Sequence, residues 1–361
     1  MNIIHKSVSS PLKEAGQFTR YMRTLTVGAL VLGLSLLLSG NASAQSKELI
    51  DAAKKEGKVM VYGELITPTM RAIKKGFESK YPGITMEFIY LSGAPLMNRI
   101  VSEQDAGRHL ADVIAIDTVR MPILKDKGYL TQYSSANKGI YPTEWHSVPA
   151  DYWIRNHLYL GGVMYNDKSV SPKDAPKSYQ DLLDPKWKGK IAMVSPVAND
   201  LIFAMFAGIV QDMGEKAAYE YFEKLAKQNP LVFGPGGIRV SQGVGTGEFP
   251  IGIGFIGHVF SVGTQPGYNM RLADVSPLYA VGGPGFAVAK NAPNPNAARL
   301  ITDYMLSREA QEMIAGIGYR SNADGVKGIK ELTEAKISVA PVLTGDAAVK
   351  LRAKLRQLFG G

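Results

Sequence analysis

The sequence predicts an α/β protein of two domains, and three observations carry that prediction. The chain from residue 45 onward is long enough for two cores. Its first third alternates three apolar strands with two helices, a pattern that argues for a parallel sheet with right-handed crossovers. A second series of strands and helices begins at Ile191, after a stretch in which Pro172, Pro176 and Pro185 rule out a continuous helix.

Ahead of the domains, Arg20 and Arg23 precede an apolar run at 25–38, and Ala42-Ser43-Ala44 supplies a small-residue cleavage pattern. The run is short for a membrane span. We therefore expect residues 1–44 to be an export signal, with Met22 as an alternative start and Gln45 as the first residue of an exported, soluble product. The chain has no cysteine, which leaves no site for a lipid anchor, a disulfide or a thiolate metal centre. The net charge is +9, but basic residues gather only in pairs such as Lys54-Lys55 and Lys74-Lys75, diluted by acids. Such a surface reads as solvated rather than as a nucleic-acid footprint.

The elements follow in order. A charged helix at 47–56 leads into an apolar strand at 58–62. Thr67-Pro68 starts a helix that runs to Lys80, since threonine caps and proline suits the first turn. Pro82-Gly83 separates it from a strand at 84–91. Pro95 opens a helix that sets Leu96, Ile100 and Val101 on one face, and a third strand covers 111–116. Residues 129–157 are irregular and rich in aromatics. A hinge strand at 158–165 ends at Asn166-Asp167, both turn formers. A short helix at 179–183 precedes Trp187, whose ring should lie on the protein body while Lys186 and Lys188 stay wet. The second series has a strand at 191–194, helices at 199–213, 215–228 and 238–247, and a strand at 249–255. One amphipathic helix is expected over 296–314, and charged helical patterns from Lys327.

Three words of the sequence are specific: Tyr165-Asn166 with Lys168; PKSYQDLLDPKWKGKI at 176–191; and GFAVAKNAPNPNAARLITDYMLSREAQEMI at 285–314. In these the chain resembles the periplasmic solute-binding proteins of ABC importers, in the branch that includes the ferric-iron binders. The resemblance implies a two-lobed type II periplasmic binding fold with a ligand cleft between lobes joined by hinge strands. It places lobe 1 at 45–160, with 280–316 returning to it through a strand at 278–289. It places lobe 2 at 161–279, with 317–361 packing on it. It also implies a periplasmic monomer that hands a small solute to an inner-membrane permease, without cofactor or catalysis. The ferric branch carries two adjacent tyrosines where this chain has Gly257-His258. It also carries a histidine after the first strand, where this chain reads Gly63-Glu64-Leu65-Ile66. These departures favour a small organic or phosphorylated anion, with ferric iron as the alternative.

Enzyme motifs are thin. Gly252-x-Gly254-x-x-Gly257 lies late in the chain, whereas a dinucleotide site would open the fold, and Asp274, the acid about 20 residues on, sits after a Pro/Gly-rich loop. Its glycines read instead as a buried strand closely approached by other backbone. Ser135-x-x-Lys138 lacks its companion triplets. His109, His146, His157 and His258 do not pair at metal-ligand spacing. An exported enzyme is the third reading, with no nucleophile–base pair to support it.

Parallel sheets bind ligands at the carboxyl ends of their strands. Here those ends offer Glu64, Ser92-Gly93 and Asp117-Thr118. Ser195 and Asn199 stand before a helix of the second series, where N–H groups and the helix dipole favour an anion. Tyr62, Tyr279 and Arg239 complete the candidates, Arg239 as a bidentate partner for a carboxylate or phosphate. His258 follows the glycine strand and would titrate near neutrality if it met the ligand.

Overall fold

The computed structural model describes residues 46–360, so the expected leader and its cleavage site lie outside the described residues. Helix α1 (Lys47–Glu56) is capped by Ser46, whose Oγ accepts from the Leu49 N–H at 3.3 Å, and it ends at Gly57 in the left-handed region (φ 74°). Strand β1 (Lys58–Gly63) pairs in parallel with β2 (Thr85–Tyr90) and β3 (Val113–Asp117). Between them run α2 (Thr67–Lys80) and α3 (Gly93–Asp105). The sheet is covered on both faces because successive strand residues point to opposite sides. Val61, Val113 and Ala115 pack under Met70, Ile73 and Phe77 of α2. Tyr62, Ile114 and Ile116 pack under Leu96 and Ile100 of α3. After α4 (Met121–Asp126) and β4 (Leu130–Thr131), the chain reaches β5 (His157–Leu158) through an irregular segment.

The second sheet starts with β6 (Leu160–Asn166) and β7 (Ile191–Val194), followed by α5 (Asp200–Met213) and α6 (Glu215–Lys227). Next come β8 (Leu231–Phe233), α7 (Ile238–Thr246), β9 (Ile251–Phe255) and α8 (Gly257–Ser261). Then follow β10 (Met270–Leu272), β11 (Leu278–Ala280), β12 (Pro284–Ala289), α9 (Pro295–Leu306) and α10 (Arg308–Gly316). The chain closes with β13 (Arg320–Ser321), α11 (Lys330–Thr333), β14 (Ile337–Val339) and α12 (Gly345–Phe359). One sheet has the order β2-β1-β3-β12-β4, with β12 antiparallel to β3. The other has the order β14-β11-β6-β9-β7-β8, with β10 beside β6. Its core includes Phe206 of α5 against Phe222 of α6 at 4.9 Å and Phe359 of α12 at 5.7 Å. Trp187 is buried under the Lys186 ammonium, 4.7 Å from its ring.

Among the described residues the chain passes between the sheets three times: near Tyr159, at 281–283, and near Gly318. The first two passes are zipped together. The Tyr159 N–H donates to Gly282 O at 2.8 Å, and the Val281 N–H donates to Tyr159 O at 2.9 Å. A Cβ on Gly283 would stand 1.9 Å from the His157 carbonyl, so only glycine admits this approach.

Two expectations are corrected. The strand expected over 278–289 is two strands in different sheets, because Gly282 (φ 122°) and Gly283 turn the chain between them. The helix expected over 296–314 is α9 and α10. Ser307 is extended (ψ 153°), and its Oγ accepts from the Ala310 N–H at 3.3 Å, starting a new helix. The short helix at 179–183 is a 3₁₀ turn over Gln180–Leu183.

Candidate ligand-binding site

A cavity of about 420 Å³ opens between the two sheets, where strand ends and helix starts from both meet the crossing segments. The first sheet contributes Glu64 after β1, Tyr90 and Ser92-Gly93 after β2, and Asp117 with Arg120 after β3. The second contributes Asn199-Asp200 at the start of α5, Gly234–Gly237 ahead of α7, and Phe255 with His258. The crossing segments add Tyr159 and Tyr319.

Six of the residues expected from the sequence therefore line one cavity: Glu64, Ser92, Gly93, Asp117, Asn199 and His258. Five do not, and each has a local reason. Tyr62 is buried beneath α3, where its hydroxyl donates to Glu103 and accepts from Arg99, whose guanidinium lies 4.8 Å from its ring. Thr118 Oγ1 accepts from Arg155 Nε at 2.7 Å. Ser195 Oγ accepts from the Val197 and Ala198 N–H groups at 3.2 and 3.1 Å, a turn cap that needs no ligand. Arg239 pairs with Glu248 and lies over Phe233 and Phe249, at 5.0 and 5.1 Å. Tyr279 is buried against Tyr179 and the Cα of Gly208.

Sequence reasoning missed Tyr90, Tyr159, Tyr319, Phe255, Arg120 and Asp200. The run Gly234-Pro235-Gly236-Gly237 before α7 was a usable signal, since glycines ahead of a helix expose its first N–H groups. No side chain caps α7 or α3. Asn199 ties the glycine run to α5: its Oδ1 accepts from the Ile202 N–H at 2.9 Å and its Nδ2 donates to Pro235 O at 2.6 Å.

The electrostatics differ from wall to wall. Glu64 is 9 % exposed, and its Oε1 has no hydrogen-bond partner. Burial, and then the charge of Asp117, holds its carboxyl well above the usual range. Arg120 and the N–H groups of Gly93 and Asp117 oppose that rise without cancelling it. Asp117 is fully engaged: Oδ1 accepts from the Val119 and Arg120 N–H groups at 3.0 and 3.1 Å, and Oδ2 pairs with the Arg120 guanidinium. That guanidinium also pairs with Asp200 across the cavity. Asp200 in turn accepts from Arg352 of α12 at 3.0 Å.

The Tyr159 hydroxyl is buried without a partner, and burial followed by Glu64 pushes its phenol far up. Tyr319 is pushed up to about 12 by burial, with its hydroxyl 3.1 Å from Thr69 Oγ1. His258 Nδ1 is hydrogen-bonded to Ser241 Oγ at 2.7 Å, and that hydroxyl also reaches Gly237 O at 3.1 Å. Burial lowers its imidazole to about 4 in the empty cavity.

Among the described residues there is no group of three or more His, Cys, Asp or Glu that could hold a metal ion. No helix of the described residues is long and apolar enough to cross a membrane. The glycine motif at 252–257 is packing: a Cβ on Gly252 would meet Val244 and Met164, one on Gly254 would meet Val194, and one on Gly257 would stand 2.7 Å from Gly318 O.

Comparison with known proteins agrees with this geometry. Residues 72–339 match the family described as "Bacterial extracellular solute-binding protein". The chain is similar to the Fe(3+)-binding periplasmic protein of Serratia marcescens, 23% identical over 86% of this chain and 91% of that one. Among solved structures it is similar to the substrate binding protein of an ABC transporter from Agrobacterium tumefaciens, with TM-score 0.70 and 18% identity over 89% of this chain and 96% of that one. It is also similar to the periplasmic binding protein AfuA from Actinobacillus pleuropneumoniae with exogenous fructose-6-phosphate bound. There the TM-score is 0.63, with 22% identity over 84% of this chain and 98% of that one.

Proposed function

The chain belongs to the bacterial extracellular solute-binding proteins that serve ABC importers, and on that premise we propose that its cavity captures a small organic or phosphorylated anion for delivery to a membrane permease. The observation that carries the reading is the wall formed by Asn199-Asp200 and Gly234–Gly237, where α5 and α7 turn their N-termini to one cavity. Helix starts present unsatisfied N–H groups and the positive end of the dipole, which together suit an oxyanion. Arg120 adds a guanidinium on the opposite side. A cavity of this size matches a small solute rather than a polymer segment. We place the lobe boundaries at the crossing segments near 160, 280 and 318, and take the working form to be a periplasmic monomer. Hinge closure there would enclose the ligand.

We read the protein as a carrier and not a catalyst. The Ser241–His258 pair has the spacing of a nucleophile and base, but Ser241 is fully buried, donates to Gly237 O, and does not line the cavity. A nucleophile must reach its substrate.

Ferric iron is the second reading, kept by one observation: the phenols of Tyr90, Tyr159 and Tyr319 share the cavity with Glu64 and Asp117. Burial raises all three phenols, so iron would have to supply the energy to ionise them. A thermal-shift screen of sugar phosphates, organic acids and ferric citrate separates the readings. An anion at a hundred times its dissociation constant should add about 2.7 kcal/mol of stability. No visible phenolate-to-iron absorption should appear on titration with ferric citrate. A strong band, abolished by Tyr159→Phe, would replace the anion by iron.

A further inference from the structure

We propose that the solute is a zwitterion, with its ammonium group seated against Glu64 and the rings of Tyr90, Tyr159 and Tyr319, and its anionic group at the starts of α5 and α7. The inference rests on the reading of the cavity as an anion-capturing site, and adds the chemistry of the other end of the ligand.

The two walls are chemically opposite. The wall from the second sheet carries helix starts and glycine backbone, with the Asp200 carboxylate paired to Arg120 and Arg352. The wall from the first sheet and the crossing segments carries acceptors and aromatic rings. Charged lining residues are three carboxylates, Glu64, Asp117 and Asp200, against one guanidinium, Arg120. An anion alone would fill the first wall and leave the Glu64 oxygen and the Tyr159 hydroxyl of the second wall without a donor. A cation alone would leave the helix starts unused.

The carboxylates are not equivalent. Asp117 and Asp200 have both oxygens engaged, by Arg120, by Arg352 and by backbone N–H groups. Glu64 alone keeps an oxygen without a partner, and it is nine-tenths buried at the cavity wall. The neighbouring Tyr159 hydroxyl is also without a partner. An ammonium has three donors and no acceptor, the complement of two oxygens that lack a donor. Aromatic faces favour the same group: Tyr159 stands 6.0 Å from Tyr319 and 6.2 Å from Phe255, ring centre to ring centre. A hydroxyl in place of the ammonium satisfies Glu64 but brings no charge to the aromatic wall.

The charged and titratable groups facing Glu64 are Asp117 and Arg120 after β3, Tyr90 of β2, and Tyr159 of the crossing segment. Burial and Asp117 raise the Glu64 carboxyl in the empty cavity, and an ammonium placed beside it acts in the opposite sense. The proton that Glu64 holds leaves to bulk buffer as the carboxylate–ammonium pair forms, so capture of the amine member releases more proton than capture of its hydroxyl partner.

Calorimetry with matched pairs that differ only in amine against hydroxyl tests this. Glucosamine 6-phosphate against glucose 6-phosphate covers a phosphate head, and γ-aminobutyrate against γ-hydroxybutyrate covers a carboxylate head. In one pair the amine member should bind at least about tenfold tighter, or about 1.4 kcal/mol. Titrations in buffers of different ionisation enthalpy should report more proton release for the amine member than for its hydroxyl partner. Glu64→Gln should erase the amine preference within that pair. Should that variant not fold, affinity and proton release within the matched pair on the unaltered chain decide, and no difference in either overturns the proposal. Equal binding within a pair that does bind overturns the ammonium end and leaves the anion reading standing. Binding of putrescine with neither pair overturns the anion reading and the zwitterion together. Binding of none of the five compounds overturns the zwitterion for solutes of this size.

Discussion

Glu64 and His258 bring opposite pH dependences to the same cavity, and each has a sign that follows from burial. The Glu64 carboxyl is raised, so its contribution to the stability of the empty protein is full below the ordinary carboxylate range and is lost as pH rises through its folded value. Glu64→Gln should therefore raise the melting temperature at pH 8 relative to the unaltered chain, with the gain shrinking toward pH 4. A variant that melts lower throughout would mean that Glu64 is ionised and paired in the empty state. His258 is lowered to about 4, so its stabilising contribution is present above its ordinary value and is lost as pH falls through the interval below it. At pH 5.5 the loss is about 1.4 kcal/mol for one imidazole with an unfolded value near 6.5. His258→Gln should remove that part of the acid destabilisation, as measured by denaturant unfolding at pH 7.5 and 5.5. The remaining site residues divide by reach. Arg239→Ala should leave solute affinity unchanged, because its guanidinium is spent on Glu248 and two phenylalanine rings. Ser92→Ala should cost about 0.5–1.5 kcal/mol of binding, the worth of one hydrogen bond. At this scale the sequence was half legible. Strand ends pointed to Glu64, Ser92 and Asp117 because the chain leaves a parallel sheet there. Tyr62 and Tyr279 failed because an aromatic at a strand end is as well suited to a core as to a cleft, and only packing distinguishes them.

Elements were legible where local chemistry sets them and illegible where tertiary approach does. Pro68 marks a helix start by backbone preference and the chain folds as it indicates, although Ile66 and not Thr67 takes the cap position and no side chain caps it. The break between α9 and α10 was hidden, because apolar residues keep helical spacing across Ser307 while its backbone is extended. The glycine motif at 252–257 shows the same limit. Its sequence announces close approach but not by what. Gly254 accommodates Val194, within one sheet. Gly257 lies against the backbone of Gly318, the residue before Tyr319, so it sets where that phenol stands in the cavity. Alanine at either position is overpacked and should cost about 1–3 kcal/mol of stability. Only Gly257→Ala should also weaken solute binding, since Gly318 offers backbone rather than a movable side-chain tip. Melting curves paired with calorimetry for the two variants check this. Equal loss of binding in both would mean that the stability of the second sheet, and not the position of Tyr319, governs the site.

On the scale of the whole molecule, the two sheets communicate through a chain of charges that no local pattern announces. Asp117 and Arg120 follow β3 of the first sheet, Asp200 opens α5 against the second, and Arg352 sits on the last helix. Arg120 is thus shared between an aspartate of its own sheet and one across the cavity. Opening the cleft breaks only the second pair and leaves Asp200 with Arg352, so the cost of opening is small and reversible. The Asp200 side chain is 49 % exposed, which keeps the pair in the range of surface ion pairs, about 0.2–1 kcal/mol. That magnitude suits a latch: it biases closure without preventing solute release. Asp200→Asn should shift the empty protein toward open forms and raise the solute dissociation rate roughly two- to fivefold, within what about 0.4–1 kcal/mol allows. Small-angle scattering without solute should give a larger radius of gyration for the variant. High salt should enlarge the unaltered protein in the same direction and leave the variant unchanged, because screening removes an interaction that the variant already lacks. Identical radii and dissociation rates in the two proteins would assign closure to the solute alone, with the Arg120–Asp200 pair a bystander.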